Sequence, residues 1–327
     1  MLLILSEETD ITTDIVCDWL NYFSHPFKRI NREKINNYNV AIHFKNDKLS
    51  VYLHNSSDVI SFEKITTVWF RRGYFDLFSN SFSIDLPEIT TKSICKHLAN
   101  ETKTLESFLY SLLKEKTAIN DPGVYNYNKL IALHEAQKIG LAIPPTLISN
   151  LGALLLDFSK THTKCITKNI QDIVPIYIDN DKTCGNRTRR VNSENILYSH
   201  YWYSLFQKEI EKKYELRIFY FLEKMYAMAI FSQSDEESDV DYREVESSYL
   251  HRMVPFNLPL DIKKKIKKLM KNLNLESGSI DMIVDKNDDF YFLEVNPVGQ
   301  FHFVGQVCNY YIEKEIAQSF YYEKKRK

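Results

Sequence analysis

The feature that most constrains this 327-residue chain is a polar turn between two short apolar runs, residues 279–284 and 290–297. Apolar runs of this length on either side of Asp and Asn residues predict a β-hairpin. Three carboxylate or amide side chains interrupt the runs: Asp281, Glu294 and Asn296. Side chains alternate between the two faces of a strand, so Glu294 and Asn296 share one face. The hairpin therefore combines acidic groups with an otherwise apolar sheet.

The pairing of this hairpin decides what the polar groups can do. If Val284 pairs with Tyr291, Asp281 lies directly opposite Glu294, on the face that also holds Asn296. Two carboxylates buried there without a counter-charge would be costly, and a divalent cation would supply that charge. All-oxygen ligands suit Mg²⁺ or Mn²⁺. We predict a metal site at these three residues; the alternative is that they are ordinary polar residues on a solvent-facing strand.

Composition narrows the classes of function. Lys plus Arg number 42 and Asp plus Glu number 43, so no overall basic charge draws the chain to nucleic acid or to a membrane surface. No stretch reaches the roughly 18 apolar residues of a membrane span, and the start MLLILSEETD has no basic segment before its apolar run. We therefore expect a soluble, cytoplasmic protein. Five scattered cysteines without a CxxC pair argue against disulfides and a cysteine zinc site: Cys17, Cys95, Cys165, Cys184 and Cys308.

The remaining patterns indicate an α/β chain in more than one domain. Residues 2–5 form a continuous apolar run that is typical of a buried strand. Alternating residues around Asn46-Asp47 predict a hairpin, and residues 66–70 predict another strand. The strongest turn signal is Asn120-Asp121-Pro122-Gly123, where we place a domain boundary. The predicted domains are an N-terminal α/β domain, a central small lobe and a C-terminal lobe with the metal site, at residues 1–120, 121–205 and 206–327.

Two further segments position the candidate residues of the second half. Residues 128–139 have helical spacing and end before Gly140. Residues 215–221 and 225–232 predict two strands joined by a turn at Glu223-Lys224.

Several motifs occur in a fixed order: a lysine at the end of CITK (residues 165–168), QKEI at 207–210, ELR at 215–217, DYR at 241–243 and DMIV followed by EVNP at 281–297. This order resembles that of the ATP-grasp ligases over roughly residues 120 to 302. The EVNP motif with an Asp thirteen residues before its Glu is specific, whereas each other motif is weak alone. The resemblance implies the ATP-grasp fold, preceded by an N-terminal pre-ATP-grasp α/β domain.

The resemblance also implies roles for individual residues, with ATP and Mg²⁺ or Mn²⁺ as cofactors. Six residues are implied to hold the nucleotide: Lys129, Lys168, Gln207, Lys208, Glu209 and Ile210. Arg217 and Arg243 are implied to be catalytic, facing the transferred phosphoryl group and the substrate carboxylate. The polar loop at 179–190 is implied to close over the phosphates; no P-loop motif is present. The alternatives are a solvated surface position for Lys168 and a local ion pair for Arg243.

A narrower resemblance covers nearly the whole chain. The motifs VWFRR at 68–72, NDP at 120–122, NKL at 128–130 and GLAIPPT at 140–146 are similar to those of the graspetide maturases, both microviridin-type and grasp-with-spasm. These ADP-forming ligases activate Glu or Asp side chains of a ribosomally made precursor peptide as acyl phosphates, and then form ω-ester or ω-amide rings. The partners implied are a precursor peptide with a leader segment and acidic core residues, a SPASM-domain protein and a second copy of the chain.

Arg71 and Arg72 follow the apolar strand at residues 67–70, at its carboxyl end. Ligands bind at that end of the strands in open α/β sheets. Adjacent side chains on a strand point in opposite directions, so at most one arginine can face the active site. We hypothesise that this arginine, with Arg217 or Arg243, holds the acidic side chain of the peptide; the alternative is that both form salt bridges within the first domain.

Three other functions are compatible with these motifs. One is an ATP-grasp ligase for an amino acid or dipeptide, and a second is a non-catalytic ATP-binding module. The third is a phosphotransferase that stops at a phosphorylated product. The retained metal-ligand pattern disfavours the non-catalytic module.

Overall fold

A computed structural model describes residues 1–78, 87–123, 127–171, 176–177, 183–184, 188–231 and 251–326. The strands are β1 Leu2–Ser6, β2 Phe27–Asn31, β3 Asn39–Lys45, β4 Lys48–His54, β5 Val59–Ser61, β6 Thr67–Phe70, β7 Thr117–Ile119, β8 Thr146–Leu151, β9 Cys165–Lys168, β10 Ile176–Tyr177, β11 Thr183–Cys184, β12 Arg189–Val191, β13 His200–Lys208, β14 Lys212–Phe221, β15 Lys224–Phe231, β16 Arg252–Pro255, β17 Ser277–Asp285 and β18 Phe290–Asn296. The helices are α1 Ile11–Tyr22, α2 Glu88–Lys114, α3 Lys129–Lys138, α4 Gly152–Thr161, α5 Leu260–Asn272, α6 His302–Cys308 and α7 Ile312–Arg326.

The N-terminal part of the chain forms a parallel sheet in the order β2-β1-β6-β7. The apolar run in β1 is fully buried, which confirms the predicted buried strand. The β3–β4 hairpin is also confirmed, and its turn residues Asn46 and Asp47 both have positive φ, as a tight turn between twisted strands requires.

The central segment forms an antiparallel sheet in the order β12-β9-β13-β8, with α4 packed against it. Strand β13 continues to Lys208 and pairs with β9 over residues Leu205–Lys208. The boundary that we placed between residues 205 and 206 therefore falls inside a strand of this sheet, because the apolar run of β13 continues through Phe206.

The last part of the chain forms a five-stranded antiparallel sheet in the order β16-β15-β14-β17-β18. Strands β14 and β15 are joined at Leu222-Glu223, both with positive φ, so the turn lies one residue before the predicted Glu223-Lys224. Helices α3 and α5 cover one face through a core that includes Leu133 and Ile266. Helix α3, which we had assigned to the small lobe, thus packs on the C-terminal sheet.

The opposite face of this sheet is divided into two regions. Over Phe219 and Phe221 it packs against α6, α7 and the N-terminal sheet in a second core, where Phe219 stacks on Phe301 with ring centroids 4.3 Å apart. Towards the other end of β14 the face is polar. Within the described ranges no helix is both long and apolar enough to cross a membrane.

Candidate active site

Charged side chains form a row across the three strands β14, β17 and β18. Arg217 is the pairing partner of Asp281, and Asp281 is the pairing partner of Glu294. Neighbouring residues in such a ladder have their Cβ atoms about 4.5–5.5 Å apart. The predicted juxtaposition of Asp281 and Glu294 is therefore confirmed.

The register that produces this row differs from the predicted one. Val284 pairs with Phe290, not with Tyr291, so an unbroken ladder would place Asp281 opposite Leu293. A bulge between Asp281 and Met282 adds one residue on β18 and restores the Asp281–Glu294 pair. Such a bulge re-aims the side chains that follow it.

Each carboxylate of the row has a cationic partner. Arg217 Nη1 donates to Asp281 Oδ1 and Oδ2 at 2.5 and 2.6 Å, and Lys129 Nζ lies 3.0 Å from Glu294 Oε2. The four side chains are between 17 and 23% exposed. Pairing explains how two carboxylates remain in a largely buried position. It also gives the site two cations that can bind phosphate oxygens.

Lys129 reaches this row because it is the first residue of α3. The Asn128 side chain caps the helix by accepting from the backbone N–H of Leu130 at 2.9 Å. On the other side of the helix, Leu133 and Ala136 pack in the core beneath the sheet. The helix thereby holds Lys129 against the end of β18.

Asn296 ends β18 on the same face as Glu294, where its Oδ1 accepts a hydrogen bond from Val298 N at 3.1 Å. In the described part of the chain, no three His, Cys, Asp or Glu side chains are grouped so that they could hold a metal ion by themselves. A cation here would therefore depend on two carboxylates and the amide oxygen of Asn296. This all-oxygen donor set fits Mg²⁺ or Mn²⁺.

The segment Gln207–Ile210 leads from the central sheet into β14. Gln207 is buried and its Nε2 donates to Thr146 Oγ1 at 2.9 Å. The backbone N–H groups of Lys208 and Glu209 donate to Pro145 O and Lys164 O, each at 2.9 Å. Both residues therefore have fixed backbones.

Glu209 forms a two-pronged ion pair with Arg190, whose Nε and Nη2 lie 2.8 and 2.7 Å from the carboxylate oxygens. Sequence patterns missed this partner, because they assign Arg190 to the polar loop at 179–190, whereas the structure places it in β12 opposite Ile166 of β9. A cavity of about 320 Å³ adjoins the segment, with Lys208, Glu209, Ile210 and Tyr291 in its lining. Its walls come from both antiparallel sheets.

Lys168 is the last residue of β9 in the central sheet, where it pairs with Leu205 of β13. It is half-buried and belongs to a different sheet from Lys129 and Arg217. Arg243 and the rest of the DYR motif lie outside the described residues, as does most of the 179–190 loop.

The two arginines after β6 have different environments. Arg71 is 1% exposed; its Nε lies 3.2 Å from Asp10 Oδ2, and its guanidinium lies 5.0 Å from the Phe301 ring. Burial acts to raise the pKa of Asp10, but the charge of Arg71 and hydroxyl hydrogen bonds outweigh it and hold that pKa below its ordinary value. Arg71 is thus placed within the protein interior.

Arg72 points instead towards the end of β18. Its Nη1 donates to Glu7 Oε1 at 2.7 Å, and its Nε donates to the carbonyl of Val298 at 3.2 Å. Val298 lies two residues after Asn296. Arg72 thus contacts the loop that follows the candidate metal ligands.

Comparison with known proteins gives matches among solved structures. No family model matches the chain, and no curated protein sequence matches it. An ATP-grasp ligase associated with ribosomally synthesised peptides in Chryseobacterium gregarium, in complex with ADP and a leader and core peptide, is 27% identical, with a TM-score of 0.85 over 98% of this chain and 96% of that one. This chain has the ATP-grasp fold. The resemblance seen in the sequence motifs is therefore confirmed at the level of structure.

Two macrocyclases of Microcystis aeruginosa are also similar. MdnC, bound with the precursor peptide MdnA, is 23% identical, with a TM-score of 0.78 over 99% of this chain and 100% of that chain. MdnB is 21% identical, with a TM-score of 0.71 over 98% of each chain. Since all three matches span nearly both chains, the ATP-grasp sheets and the N-terminal parallel sheet are shared as one arrangement.

The candidate residues outside the Gln207–Ile210 segment are divided between two antiparallel sheets. Lys168 belongs to the central sheet, and the row of Arg217, Asp281 and Glu294 belongs to the five-stranded sheet. Sequence reasoning missed Lys212, a buried residue whose Nζ lies 2.6 Å from Glu215 Oε1 on the row's strand. Only the i, i+3 spacing of the two residues could have indicated that pair.

Proposed function

We propose that this chain is an ADP-forming ATP-grasp ligase that activates Glu or Asp side chains of a ribosomally made precursor peptide and closes ω-ester or ω-amide rings. The observation that carries the proposal is the row of Arg217, Asp281, Glu294 and Lys129 on one sheet face, in a chain that matches peptide-modifying ATP-grasp ligases over nearly its whole length. The row contains acidic and basic groups but no serine or cysteine nucleophile, which fits phosphoryl transfer by positioning and charge neutralisation.

The oxygen donors of Asp281, Glu294 and Asn296 support ATP with Mg²⁺ or Mn²⁺ as cofactors. Two solved structures of a similar ATP-grasp ligase, PsnB, contain Mg and ADP. Asp281, Glu294 and Asn296 would hold the cation, which supplies positive charge against the phosphate oxygens. Lys129 and Arg217, now paired with those carboxylates, would then bind phosphate. On nucleotide binding, Asp281 and Glu294 would pair with the metal ion, and Lys129 and Arg217 with phosphate. The charge of each side chain would thus remain neutralised with or without nucleotide.

The other nucleotide contacts follow from the two antiparallel sheets. Lys168 would reach the phosphates from the central sheet as a compact positive charge. Gln207 to Ile210 would line the adenine site through the cavity beside them, with fixed backbone groups. Arg190 would hold Glu209 in place there. Arg243 is assigned to the substrate carboxylate by the sequence resemblance alone.

The reaction takes place in two steps. An oxygen of the substrate carboxylate attacks the γ-phosphorus of ATP, which releases ADP and leaves an acyl phosphate. A hydroxyl or amine of the same peptide then attacks the acyl carbon, loses its proton and expels inorganic phosphate. Each ring formed removes one water from the peptide. Arg217 would bind the transferred phosphoryl group in both steps.

Arg72 is the residue of the arginine pair that we assign to the acidic peptide. Within the described residues its Nη1 and Nε bond to Glu7 and Val298, which leaves Nη2 as a donor for a substrate carboxylate. Arg71 is excluded from that role by its burial beside Asp10. The expected partners are a precursor peptide with a leader and acidic core residues, a SPASM-domain protein and a second copy of the chain, acting in the cytoplasm where MgATP is available.

Mass spectrometry of a candidate precursor peptide, after incubation with the chain, ATP and Mg²⁺, tests the proposal. We expect the peptide to lose one water per ring and an equal number of ATP molecules to become ADP. Hydroxylamine should trap the acyl phosphate as a hydroxamate when the attacking hydroxyls are removed from the peptide.

A matched pair of carboxylate variants controls this assay. Asp281→Asn should abolish water loss. Asp288→Asn should leave water loss unchanged, because Asp288 lies exposed in the β17–β18 turn. It is a matched control because it also pairs with a cation, Lys213 at 2.6 Å. A stable phosphopeptide without ring closure would replace the ligase with a phosphotransferase, and equal activity in both variants would remove the site assignment.

A further inference from the structure

The loop that follows β18, residues 297–300, is bonded directly to Asn296. The side-chain Oδ1 of Asn296 accepts from Val298 N at 3.1 Å, and its backbone carbonyl accepts from Gly299 N at 3.0 Å. A β-carbon on Gly299 would lie 2.5 Å from Ser279 Cβ, so the loop packs closely onto β17. Any displacement of the loop therefore moves Asn296 with it.

The other side of the 297–300 loop is held by the N-terminal sheet. Each of three side chains follows a different strand of that sheet, and β1, β6 and β7 are adjacent in it. The three contacts are Thr12 Oγ1 to Gln300 Oε1 (2.7 Å), Arg72 Nε to Val298 O (3.2 Å) and Asn120 Nδ2 to Pro297 O (3.2 Å). All three come from the carboxyl end of the parallel sheet, the edge where open α/β sheets bind ligands.

These donors are fixed by contacts of their own. Asn120 is buried with a left-handed backbone, and its Oδ1 accepts from the N–H groups of Glu276 and Ser277 at 3.1 and 2.9 Å. Arg72 is held by Glu7. Thr12 is buried, and its single hydroxyl proton is shared between Gln300 Oε1 and Asp10 Oδ1, the latter 2.5 Å away. The loop is therefore held by groups that have little freedom to move.

We propose that the N-terminal sheet sets the position of Asn296 by holding the 297–300 loop, with Thr12, Arg72 and Asn120 as positioning residues for the nucleotide–metal site. This inference rests on the proposed function of that site. The carboxyl end of the parallel sheet, where open α/β sheets ordinarily bind ligands, here binds the 297–300 loop of the same chain. Loss of one of these bonds should weaken cation binding at Asn296 while leaving the carboxylates in place.

Thr12 and Thr13 provide a matched pair for the test. Both are buried and both hydroxyls bond to the carboxylate of Asp10, but only Thr12 also contacts the loop. Mn²⁺ binding to the full chain with ADP is measured by the electron paramagnetic resonance of free Mn²⁺. Thr12→Val should weaken Mn²⁺ binding by about threefold to tenfold, the range for one neutral hydrogen bond, and Thr13→Val by less than about twofold.

Gln300→Met gives a second variant, because it removes the loop's side of the same contact and leaves the Thr12–Asp10 bond intact. It should weaken Mn²⁺ binding as Thr12→Val does, with an unchanged unfolding midpoint. Equal Mn²⁺ affinity in Thr12→Val and Thr13→Val, or parental affinity in Gln300→Met, overturns the inference. A parental chain that binds Mn²⁺ and ADP but modifies no peptide overturns the proposed function alone, and a parental chain without Mn²⁺–ADP binding overturns both.

Discussion

Replacing Arg71 with Met removes the cation from an ion pair in which Arg71 is 1% and Asp10 0% exposed. Breaking a buried pair from one side costs about 3–5 kcal/mol, because the remaining charge has no compensation. Asp10 keeps hydrogen bonds from Thr12 and Thr13, which moderates the loss, whereas the guanidinium contact with the Phe301 ring is also lost. We therefore expect a loss of about 3–5 kcal/mol, a large share of the 5–15 kcal/mol that ordinarily separates folded from unfolded domains.

The dependence on pH has a definite sign. In the parent the pKa of Asp10 is lowered from 3.8, so its stabilising contribution is present above that pH and is lost as the pH falls through the folded-state value. Without Arg71, burial remains as the main influence on Asp10 and disfavours the charged form. The stability gap between Arg71→Met and the parent should therefore be widest near neutral pH and narrow on acidification.

Urea denaturation followed by tryptophan fluorescence, to which the buried Trp69 contributes, measures this effect at several pH values. The double variant Arg71→Met with Asp10→Asn removes both charges and should recover most of the lost stability. Arg72→Met, at a partly exposed pair, should cost far less. An unfolding midpoint for Arg71→Met equal to that of the parent, or no recovery in the double variant, would refute the buried-pair reasoning.

Three further predictions concern activity. Glu294→Gln should abolish peptide modification with an unchanged circular dichroism spectrum, because it removes a carboxylate charge from the row; measurable turnover would contradict the assignment. Lys168→Ala should raise the KM for ATP and slow turnover, whereas Cys165→Ser beside it should retain parental kinetics, and equal kinetics in both would make Lys168 a surface residue. Arg72→Lys should slow modification of an acidic precursor peptide and weaken peptide affinity. The donors of a lysine lie on one nitrogen and cannot span Glu7, Val298 and a carboxylate as a guanidinium can. Parental rate and affinity would place the peptide carboxylate elsewhere.

Local patterns in the sequence predict the hairpins and the charged row. The apolar runs of β17 and β18 indicate which residues belong to strands, and their alternation indicates which share a face. The bulge at the Asp281–Glu294 pair follows from no local pattern, since Leu293 simply continues the apolar run of residues 290–292. The sequence led to the right pair through the wrong register.

Long-range contacts limited the prediction in other places. Helical spacing predicts α3, but only packing shows that its apolar side covers the C-terminal sheet. Alternation along β6 indicates that one arginine of two can face the site, yet choosing Arg72 requires the positions of Asp10 and Val298. These partners lie about 60 and 230 residues away along the chain, beyond the reach of any local pattern.

The extra residue at Leu293 divides β18 into two halves of opposite phase. Before it, even-numbered Phe290 and Phe292 face the core; after it, even-numbered Glu294 and Asn296 face the site. A regular strand that kept Leu293 within the ladder would turn Glu294 and Asn296 towards the hydrophobic core, whereas deleting Leu293 would give an unbroken ladder that leaves both residues on the site face. A change of length in the 286–288 turn would leave the alternation within each strand unaltered. Alignments of related chains should therefore admit gaps in the turn and at Leu293 but at no other position of β18, and a transplanted hairpin that keeps Leu293 must also keep the bulge.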